Sequence, residues 1–455
     1  MTPASRVTLA TLCLLLFCAT GCSGRAVSGV ALPQTRPNPI PSSVNPYLKH
    51  VVIVIQENRS FDNLFSGFPG ADAPAFGYAG GKKIALHQTR LENPGNIENN
   101  WRDSIGSWNH GKMDGFEVEH FYGGPKDYPY AYVPRSQSAP YWVMARQYVL
   151  ADRMFPMQFG PSFTAHLSLI AANTLIAPTP IAEVDAPSRV PWGCDAPSHT
   201  RSFTLTDKRV ERFNGPFPCF RNFPTIADTL DAAHVSWKYY APRLDRIGGQ
   251  VWSEFSSIRS VRYGPDWANV ISPQTQILRD APRGALADVS WVVPDWQDSD
   301  HTGSGYDRGP SWVASVVNAI GRSAYWKSTA IVVVWDDWGG WYDNAPPPQL
   351  DFRGLGIRVP CIIISPYAKI ANGRKSGYVT HTQYEFGSVL KFVEQVFDLP
   401  PVGPPSLGFT DTRAASLIDS FDFTQKPRAF LSIPAIYPES TFLNEQPSYV
   451  PPDND

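Results

Sequence analysis

The chain is poor in charged residues. Only 18% of its 455 residues are charged, and 39 Lys and Arg stand against 41 Asp and Glu, for a formal net charge of −2. This near balance excludes proteins that bind nucleic acid through a basic field, and the low charged fraction argues against a highly charged disordered chain. We therefore expect a folded protein without a nucleic-acid partner.

Cysteine is also scarce, with six residues and no CxxC or metal-type Cys/His spacing. This predicts that no zinc site is built from thiolates. Cys194 and Cys219 lie in a stretch rich in proline and glycine, where they can form a disulfide in an oxidising compartment. Cys361 lies in an apolar run and is expected to be an inert core thiol.

The N-terminus has only a short apolar run, residues 7–19, too short to span a bilayer comfortably. The run follows a positive charge and precedes small residues, which predicts a signal peptide over residues 1–21. Residues 19–22 resemble a bacterial lipobox, so we expect lipidation of Cys22 and a membrane anchor, since two or more acyl chains anchor stably. The alternative is an ordinary signal peptide cut near Gly24. Both predict export, as a lipoprotein in the periplasm or on the cell surface, or as a secreted protein.

Aromatic residues (13%) and 44 prolines are plentiful, which favours a loop-rich protein with ring-lined grooves. Residues 22–47 lack an apolar period and suit a flexible tether. We expect a catalytic body over residues 48–424, with an insertion at 177–225, and a proline-rich tail over 425–455.

Four apolar, β-branched runs are typical of strands buried on both faces. They cover residues 50–55, 289–293, 330–335 and 361–365, and helical patterns at 312–322 and 384–397 alternate with them. This alternation predicts an α/β fold with a doubly wound, mostly parallel sheet covered on both faces.

Oxygen-bearing side chains follow two of these runs directly, where open α/β sheets bind ligands. Adjacent unpaired carboxylates repel, so a cation or a strong hydrogen-bond network should compensate them. The alternative is that Asp336 and Asp337 cap the next loop and that Glu57 pairs with Arg59. The residues are Glu57 and Asn58 after the first run, and Asp336 and Asp337 after the third.

Ser162 follows a Gly-Pro turn and opens an apolar-periodic helix. Free backbone N–H groups at such a position favour an anion. A serine there can be a plain N-cap. If its hydroxyl also meets a metal, its pKa falls and an alkoxide nucleophile becomes available.

Several ordered blocks resemble the bacterial phosphoesterase family of non-haemolytic-type phospholipases C and the related acid phosphatase, whose fold is alkaline-phosphatase-like. The blocks extend over most of residues 48–400, and four separated motifs in the right order make the resemblance specific. The four motifs are residues 57–62 (ENRSFD), 160–166 (GPSFTAH), 300–301 (DH) and 335–340 (WDDWGG), and residues 381–394 also follow the family pattern.

The resemblance implies a metal-dependent phosphoesterase. Ser162 matches the nucleophile, which is transiently phosphorylated, while His301 and, less securely, His110 match histidines that bind phosphate or protonate the leaving group. For each histidine the alternative is an ordinary core or surface imidazole. His166, one helical turn after Ser162, is given no direct role. The metal ligands that the resemblance implies are Glu57, Asn58, Ser162, Asp336 and Asp337.

Such oxygen ligands favour one divalent ion, with Ca, Mg or Mn ahead of Zn. The expected substrate is a phosphate ester or a phospholipid. Phospholipase C members tend to carry Thr at the nucleophile and the acid phosphatase Ser, so Ser162 leans towards the phosphatase branch. A surface binding protein that retains the fold without catalysis is the alternative. A sulfatase would need a C/S-x-P-x-R signature and a Ser-His-Asp hydrolase a G-x-S-x-G elbow, and neither surrounds Ser162.

Overall fold

The computed structural model describes residues 44–92, 95–118, 125, 127–177, 181–374 and 376–446. The predicted signal peptide, Cys22, residues 22–43 of the predicted tether and residues 447–455 of the predicted tail lie outside these ranges. Among the helices in the described ranges, none combines the length and the apolar character needed to cross a membrane.

Strands and helices alternate along most of the described chain. The strands are β1 (His50–Gln56), β2 (Phe76–Ala79), β3 (Lys82–Ala85), β4 (His87–Gln88), β5 (Ala131–Tyr132), β6 (Val149–Phe155), β7 (Leu175–Ala177), β8 (Ile181–Glu183), β9 (Thr204–Thr206), β10 (Glu211–Arg212), β11 (Trp237–Tyr240), β12 (Val270–Ile271), β13 (Val289–Val292), β14 (Thr329–Trp335), β15 (Val359–Ile364), β16 (Tyr378–Thr380) and β17 (Tyr384–Glu385). The helices are α1 (Phe61–Phe65), α2 (Trp101–Trp108), α3 (Arg135–Gln147), α4 (Ser162–Ala171), α5 (Ile226–Ala232), α6 (Ile247–Trp252), α7 (Arg259–Arg262), α8 (Ile277–Arg283), α9 (Gly309–Gly321), α10 (Phe386–Phe397) and α11 (Glu439–Asn444).

Within the described ranges, nine strands form the central sheet, in the order β12-β11-β13-β1-β14-β15-β6-β16, and β17 pairs with β6 as well. The pairings are parallel except those of β15, which runs antiparallel to both β14 and β6. The predicted α/β fold with a mostly parallel sheet is confirmed. The apolar run that forms β15 resembles the others in sequence because burial on both faces does not encode strand direction.

Both faces of the sheet are covered. Every residue of β13, β14 and β15 is buried, although successive side chains of a strand point to opposite faces. One group of helices consists of α4 with its neighbours α5, α6 and α10, and another of α9 with its neighbours α3, α8 and α11. The two groups explain how a sheet of this length keeps its apolar residues out of water.

The predicted insertion contains most of a small antiparallel sheet in the order β10-β9-β8-β7. A disulfide joins Cys194 and Cys219 within the same segment. Cys361 is buried in β15, and burial raises the pKa of its thiol. This cysteine therefore stays a protonated apolar side chain.

Residues 425–446 pack on the body rather than extend from it. Asn318 on α9 exchanges two hydrogen bonds with the backbone of Ile433, at 2.9 and 2.8 Å. The ring of Phe442 lies 5.5 Å from that of Trp312, also on α9. The described part of the predicted tail thus covers α9.

The strands that matter for the site end at one edge of the sheet. β13, β1 and β14 are parallel neighbours, and two successive antiparallel pairings, β14 with β15 and β15 with β6, make β6 parallel to β14. The carboxyl ends of β1, β6, β13 and β14 therefore lie at the same edge, where ligand sites of open α/β sheets form.

A buried arginine joins the segments beneath this edge. Arg358 Nε donates to Asp343 Oδ1 at 2.9 Å, and its Nη2 donates to Asp62 Oδ1 at 3.1 Å; all three side chains are inaccessible to solvent. Asp62 lies on α1, Asp343 follows β14, and Arg358 immediately precedes β15. The guanidinium thus fixes the loop after β14 against α1.

Replacing Arg358 should be strongly destabilising, because it leaves two buried carboxylates without their cation. We expect Arg358→Met to lower the free energy of unfolding by about 3–5 kcal/mol, as measured by urea denaturation. Arg322→Met is the control, because this arginine is exposed and, within the described ranges, its side chain donates to Ser432 Oγ and not to a carboxylate. A loss no larger than that of the control would contradict the structural role of Arg358.

Candidate active site

The site begins with the pairing of β1 and β14. Gln56 is the register partner of Trp335, the last pair of this ladder. The next residues, Glu57 and Asp336, therefore leave the sheet side by side, and the N–H of Asp336 donates to Gln56 O at 2.8 Å. Both carboxylates are fully buried, so the sheet itself forces two like charges together.

Asn58 turns the chain immediately after Glu57. Its backbone is left-handed (φ 56°), a conformation that asparagine tolerates better than most residues. In this conformation its N–H donates to Asp336 Oδ1 at 2.9 Å. A Cβ atom at Gly339 would lie 2.1 Å from Asn58 O, so glycine is required where the two strand-end loops meet.

Asp337 is held by one of its oxygens and presents the other. Oδ1 accepts hydrogen bonds from Asn99 Nδ2 and from the N–H of Gly339, both at 2.8 Å. Oδ2 lies 3.3 Å from Ser162 Oγ. The loop that precedes α2 thus orients a carboxylate towards the hydroxyl.

Ser162 reaches the same point from the carboxyl end of β6. The N-cap of α4 is Pro161, and Ser162 is the first residue of the helix. Its Oγ lies 3.4 Å from Asn58 Oδ1 as well as near Asp337, and the side chain is inaccessible to solvent. The hydroxyl therefore contacts ligand oxygens instead of capping its own helix.

His166 belongs to this cluster, although the sequence analysis gave it no direct role. Its Nε2 lies 3.1 Å from Glu57 Oε1 and 3.6 Å from Asp336 Oδ2, and all three side chains are buried. Residues four apart share one face of a helix, so the spacing from Ser162 was the signal in the sequence. Glu57, His166 and Asp336 form a group that can hold a metal ion.

The carboxylates share a pattern: one oxygen is fixed by the protein and the other is not. Within the described ranges, Glu57 Oε2 and Asp336 Oδ2 are buried and have no hydrogen-bond partner. Their other oxygens accept hydrogen bonds from His166 and from the backbone of Asn58 and Asp337. Buried carboxylate oxygens without donors are costly, and a cation between them would satisfy both.

The electrostatics of the cluster also favour a cation. Burial, followed by the charge of Asp336, raises the pKa values of Glu57 and Asp337 well above their usual range. Burial opposes ionisation of Asp336 too, but hydrogen bonding and the charge of His166 lower its pKa to about 2. For His166, burial lowers the pKa, whereas Glu57 and Asp336 together raise it to about 10. The three carboxyl groups of Glu57, Asp336 and Asp337 therefore share one imidazolium, that of His166, and additional positive charge would stabilise their ionised forms.

The alternatives raised for the two acidic motifs fare differently. Arg59 does not pair with Glu57, because its Nε donates to Asp300 O at 2.7 Å and its other nitrogens donate to oxygens elsewhere. Loop capping by Asp336 and Asp337 is present, since each accepts a hydrogen bond from the following backbone. Capping, however, uses only one oxygen of each aspartate.

His301 is fully buried on the loop after β13. Its Nδ1 donates to Thr302 O at 2.5 Å, and its ring lies 4.6 Å from that of Trp296. Gln56 ties this loop to the end of β1, because its side chain donates to Asp298 O and accepts from the N–H of Asp300. His301 is thus fixed at the edge of the sheet that also carries Glu57 and Asp336.

His110 lies at the surface. It is exposed and has a left-handed backbone (φ 55°), and its ring lies 5.7 Å from that of Trp108. Trp108 in turn lies 5.8 Å from Phe159, three residues before Ser162. The structure therefore places His110 at the surface near the loop that leads to Ser162, and no contact of His110 with the buried oxygens is seen within the described ranges.

Comparison with known proteins identifies relatives of this chain. A family model described as the Phosphoesterase family matches residues 48–400, which confirms the resemblance inferred from the motifs. The non-hemolytic phospholipase C of Pseudomonas aeruginosa is 24% identical over 420 residues, which cover 78% of this chain and 55% of that protein. Phospholipase C A of Mycobacterium tuberculosis is 23% identical over 448 residues, which cover 84% of this chain and 78% of that protein. The chain thus spans little more than half of the first relative.

Similarity to solved structures is lower. A protein of the alkaline phosphatase superfamily from Vibrio parahaemolyticus superposes with a TM-score of 0.36 at 10% identity, over 82% of this chain and 72% of that one. Similarity at this level carries no argument about the site, whose description depends on its own contacts.

Proposed function

Because the chain belongs to the Phosphoesterase family, we propose that it is a phosphoric ester hydrolase that uses a divalent metal ion and a serine nucleophile. The observation that supports this proposal is that buried oxygen atoms able to bind a metal ion converge from three separate segments. These atoms are Glu57 Oε2, Asn58 Oδ1, Ser162 Oγ, Asp336 Oδ2 and Asp337 Oδ2.

The residues present fit a hard divalent ion. Five oxygen ligands suit Mg, Ca or Mn better than Zn, and a cation would satisfy the oxygens of Glu57 and Asp336 that accept no hydrogen bond. When bound, the ion supplies positive charge that lowers the pKa of the serine hydroxyl and polarises a phosphoryl oxygen. His166 would support the site by donating from Nε2 to Glu57 Oε1, which leaves Oε2 for the ion.

The reaction follows from where Ser162 stands. The first N–H groups of α4 have no acceptor within the helix, and together with its dipole they favour the negative phosphoryl group. Ser162 gives its hydroxyl proton to Asp337 Oδ2, 3.3 Å away, and Oγ attacks phosphorus. The bond from phosphorus to the leaving oxygen breaks, and that oxygen takes a proton from a protonated imidazole. Water then attacks phosphorus and returns a proton to that imidazole, the bond to Ser162 Oγ breaks, and Oγ recovers its proton from Asp337 as the phosphate product leaves.

We assign protonation of the leaving oxygen to His301. Its loop is fixed to the end of β1 through Gln56, and its Nδ1–H is held by Thr302 O. A charged imidazole in this position can donate from Nε2. His110, which is exposed, is the second candidate for this role.

The substrate class that the site favours is a phosphodiester. A phosphodiester carries one negative charge and a phosphomonoester up to two, so a monoesterase needs more cationic groups at the phosphate. Within the described ranges, the ion pairs of Glu57 and Asp336 involve His166 and neither lysine nor arginine. The relatives named phospholipase C support the same choice, whereas serine as the nucleophile favours the monoester branch.

Ser162→Ala should abolish turnover without unfolding the protein, because it removes the attacking oxygen. We expect kcat to fall by at least about a thousandfold, measured with p-nitrophenylphosphorylcholine, while the circular dichroism spectrum is retained. Ser168→Ala is the matched control: this serine lies on the same helix, is equally buried, and donates only to Ala165 O at 2.8 Å. Equal activity of the two variants would refute the nucleophile assignment.

His166 should control the affinity for the metal without being a ligand. His166→Ala is expected to weaken metal binding roughly 10–100-fold in calorimetric titrations, and His166→Gln should restore most of it, because its amide nitrogen can occupy the place of Nε2. Asp336→Asn should lose the metal in elemental analysis. Nitrogen coupling in the electron paramagnetic resonance spectrum of the Mn-loaded protein would instead show that His166 binds the ion.

Substrate preference can be tested directly. We expect a higher kcat/KM for p-nitrophenylphosphorylcholine than for p-nitrophenyl phosphate, because within the described ranges the ion pairs of Glu57 and Asp336 include no lysine or arginine that would meet the second charge of a dianion. Incubation with phosphatidylcholine should yield diacylglycerol and phosphocholine. The reverse ratio, without diacylglycerol release, would assign the protein to the phosphomonoesterase branch.

A further inference from the structure

Exposed apolar and basic side chains lie together at the end of the insertion. Val210, Phe213 and Leu350 are 51%, 53% and 49% exposed. The first two belong to the hairpin of β9 and β10, and Leu350 lies on the loop that precedes β15. We call these residues, together with the basic side chains around them, the hairpin patch. The basic residues are Arg102, Lys208, Arg209 and Arg212.

Short contacts hold the hairpin against the loop that carries Leu350. Arg209 Nε donates to Phe352 O at 2.8 Å, and its Nη2 donates to Gln349 Oε1 at 2.7 Å. The segments that carry the three exposed apolar side chains therefore form one surface. Isolated exposed apolar residues are common on soluble proteins and need no explanation, but a group of them does.

Arg102 completes the surface from α2. Its Nε lies 2.5 Å from Glu211 Oε2, and its guanidinium carbon lies 5.0 Å from the centre of the Phe213 ring. Of the two carboxylates on the hairpin, those of Asp207 and Glu211, the second is thus already paired. Lys208 and Arg212 remain exposed beside it.

The segments that carry the hairpin patch, α2 and the small sheet, are also hydrogen-bonded to the loops that carry Asp337 and Ser162. Asn99, shortly before α2, donates to Asp337 Oδ1, and Trp338 Nε1 donates to Ser104 Oγ within α2 at 3.1 Å. On the other side, Gln158 Nε2 donates to the backbone oxygen of Glu183 in β8 at 2.8 Å. The hairpin patch therefore belongs to elements that also orient Asp337 and the nucleophile loop.

We propose that the hairpin patch docks on a membrane surface that contains anionic lipids. Cations outnumber carboxylates on it, so it attracts a negative surface, and its apolar side chains can enter the headgroup region. A hairpin tip that projects half-exposed side chains differs from the packed, desolvated pockets in which protein partners concentrate binding energy. The inference concerns binding alone and holds whether or not the proposed chemistry is correct.

The proposal can be tested by cosedimentation with vesicles of phosphatidylcholine, with and without phosphatidylglycerol. The Ser162→Ala protein is used so that hydrolysis cannot alter the lipid. Binding should require phosphatidylglycerol and weaken with added salt. We expect Lys208→Glu with Arg212→Glu to reduce it by about tenfold or more, and Val210→Ser with Phe213→Ser to reduce it severalfold.

Matched controls lie far from the patch. Lys49→Glu with Lys327→Glu changes the same charge beside the amino ends of β1 and β14, the opposite edge of the sheet, and Leu431→Ser with Ile436→Ser removes equally exposed apolar residues. Neither pair should alter vesicle binding. The patch substitutions, made in the active protein, should leave turnover of p-nitrophenylphosphorylcholine unchanged, which separates this test from that of the chemistry.

Two outcomes would overturn the proposal. The first is equal binding by the patch variants and the control variants. The second is the absence of binding to anionic vesicles, which is the result expected if the patch contacts another protein instead.

Discussion

The register between β1 and β14 is the constraint on which the site depends. It brings Glu57 and Asp336 out of the sheet side by side in a region without solvent. Like charges at this separation are tolerated only if something positive joins them. Asn58, His166 and the following backbone each satisfy one carboxylate oxygen. The fold therefore orients the carboxylates, and the single imidazolium of His166 neutralises them only in part, as the proposed metal site requires.

The buried arginines show why this imbalance persists. Arg358 forms ion pairs with Asp62 and Asp343, and Arg59 donates to Asp300 O and to other oxygens away from Glu57 and Asp336. Each guanidinium stabilises a loop behind the ligands and none pairs with Glu57. In the proposed site, the positive charge that phosphate would meet is therefore concentrated at the metal ion, which is consistent with a chain of nearly neutral net charge.

Sequence reasoning was most successful where backbone geometry alone determines position. Oxygen ligands that directly follow strands must lie at the sheet edge, so Glu57 and Asp336 could be placed before their neighbours were known. The Gly-Pro turn likewise marked Ser162 as a helix start. His166 was missed because its role depends on the direction in which the helix packs, which the local pattern does not encode. The antiparallel direction of β15 could not be predicted either, because burial on both faces of a strand does not encode its direction.

The disulfide closes the loop that carries the exposed hairpin. Cys194 and Cys219 are separated by 25 residues, and β9, β10 and the exposed Val210 and Phe213 all lie within the loop that they close. Closing a loop of this length removes conformational freedom chiefly from the unfolded chain, so a short hairpin with exposed apolar side chains can keep a defined surface with little core of its own. Gln158 joins the small sheet to the loop that leads to Ser162, so the proposed nucleophile is connected to the same segment. An oxidising compartment, expected from the N-terminal pattern, is the environment in which such an arrangement persists.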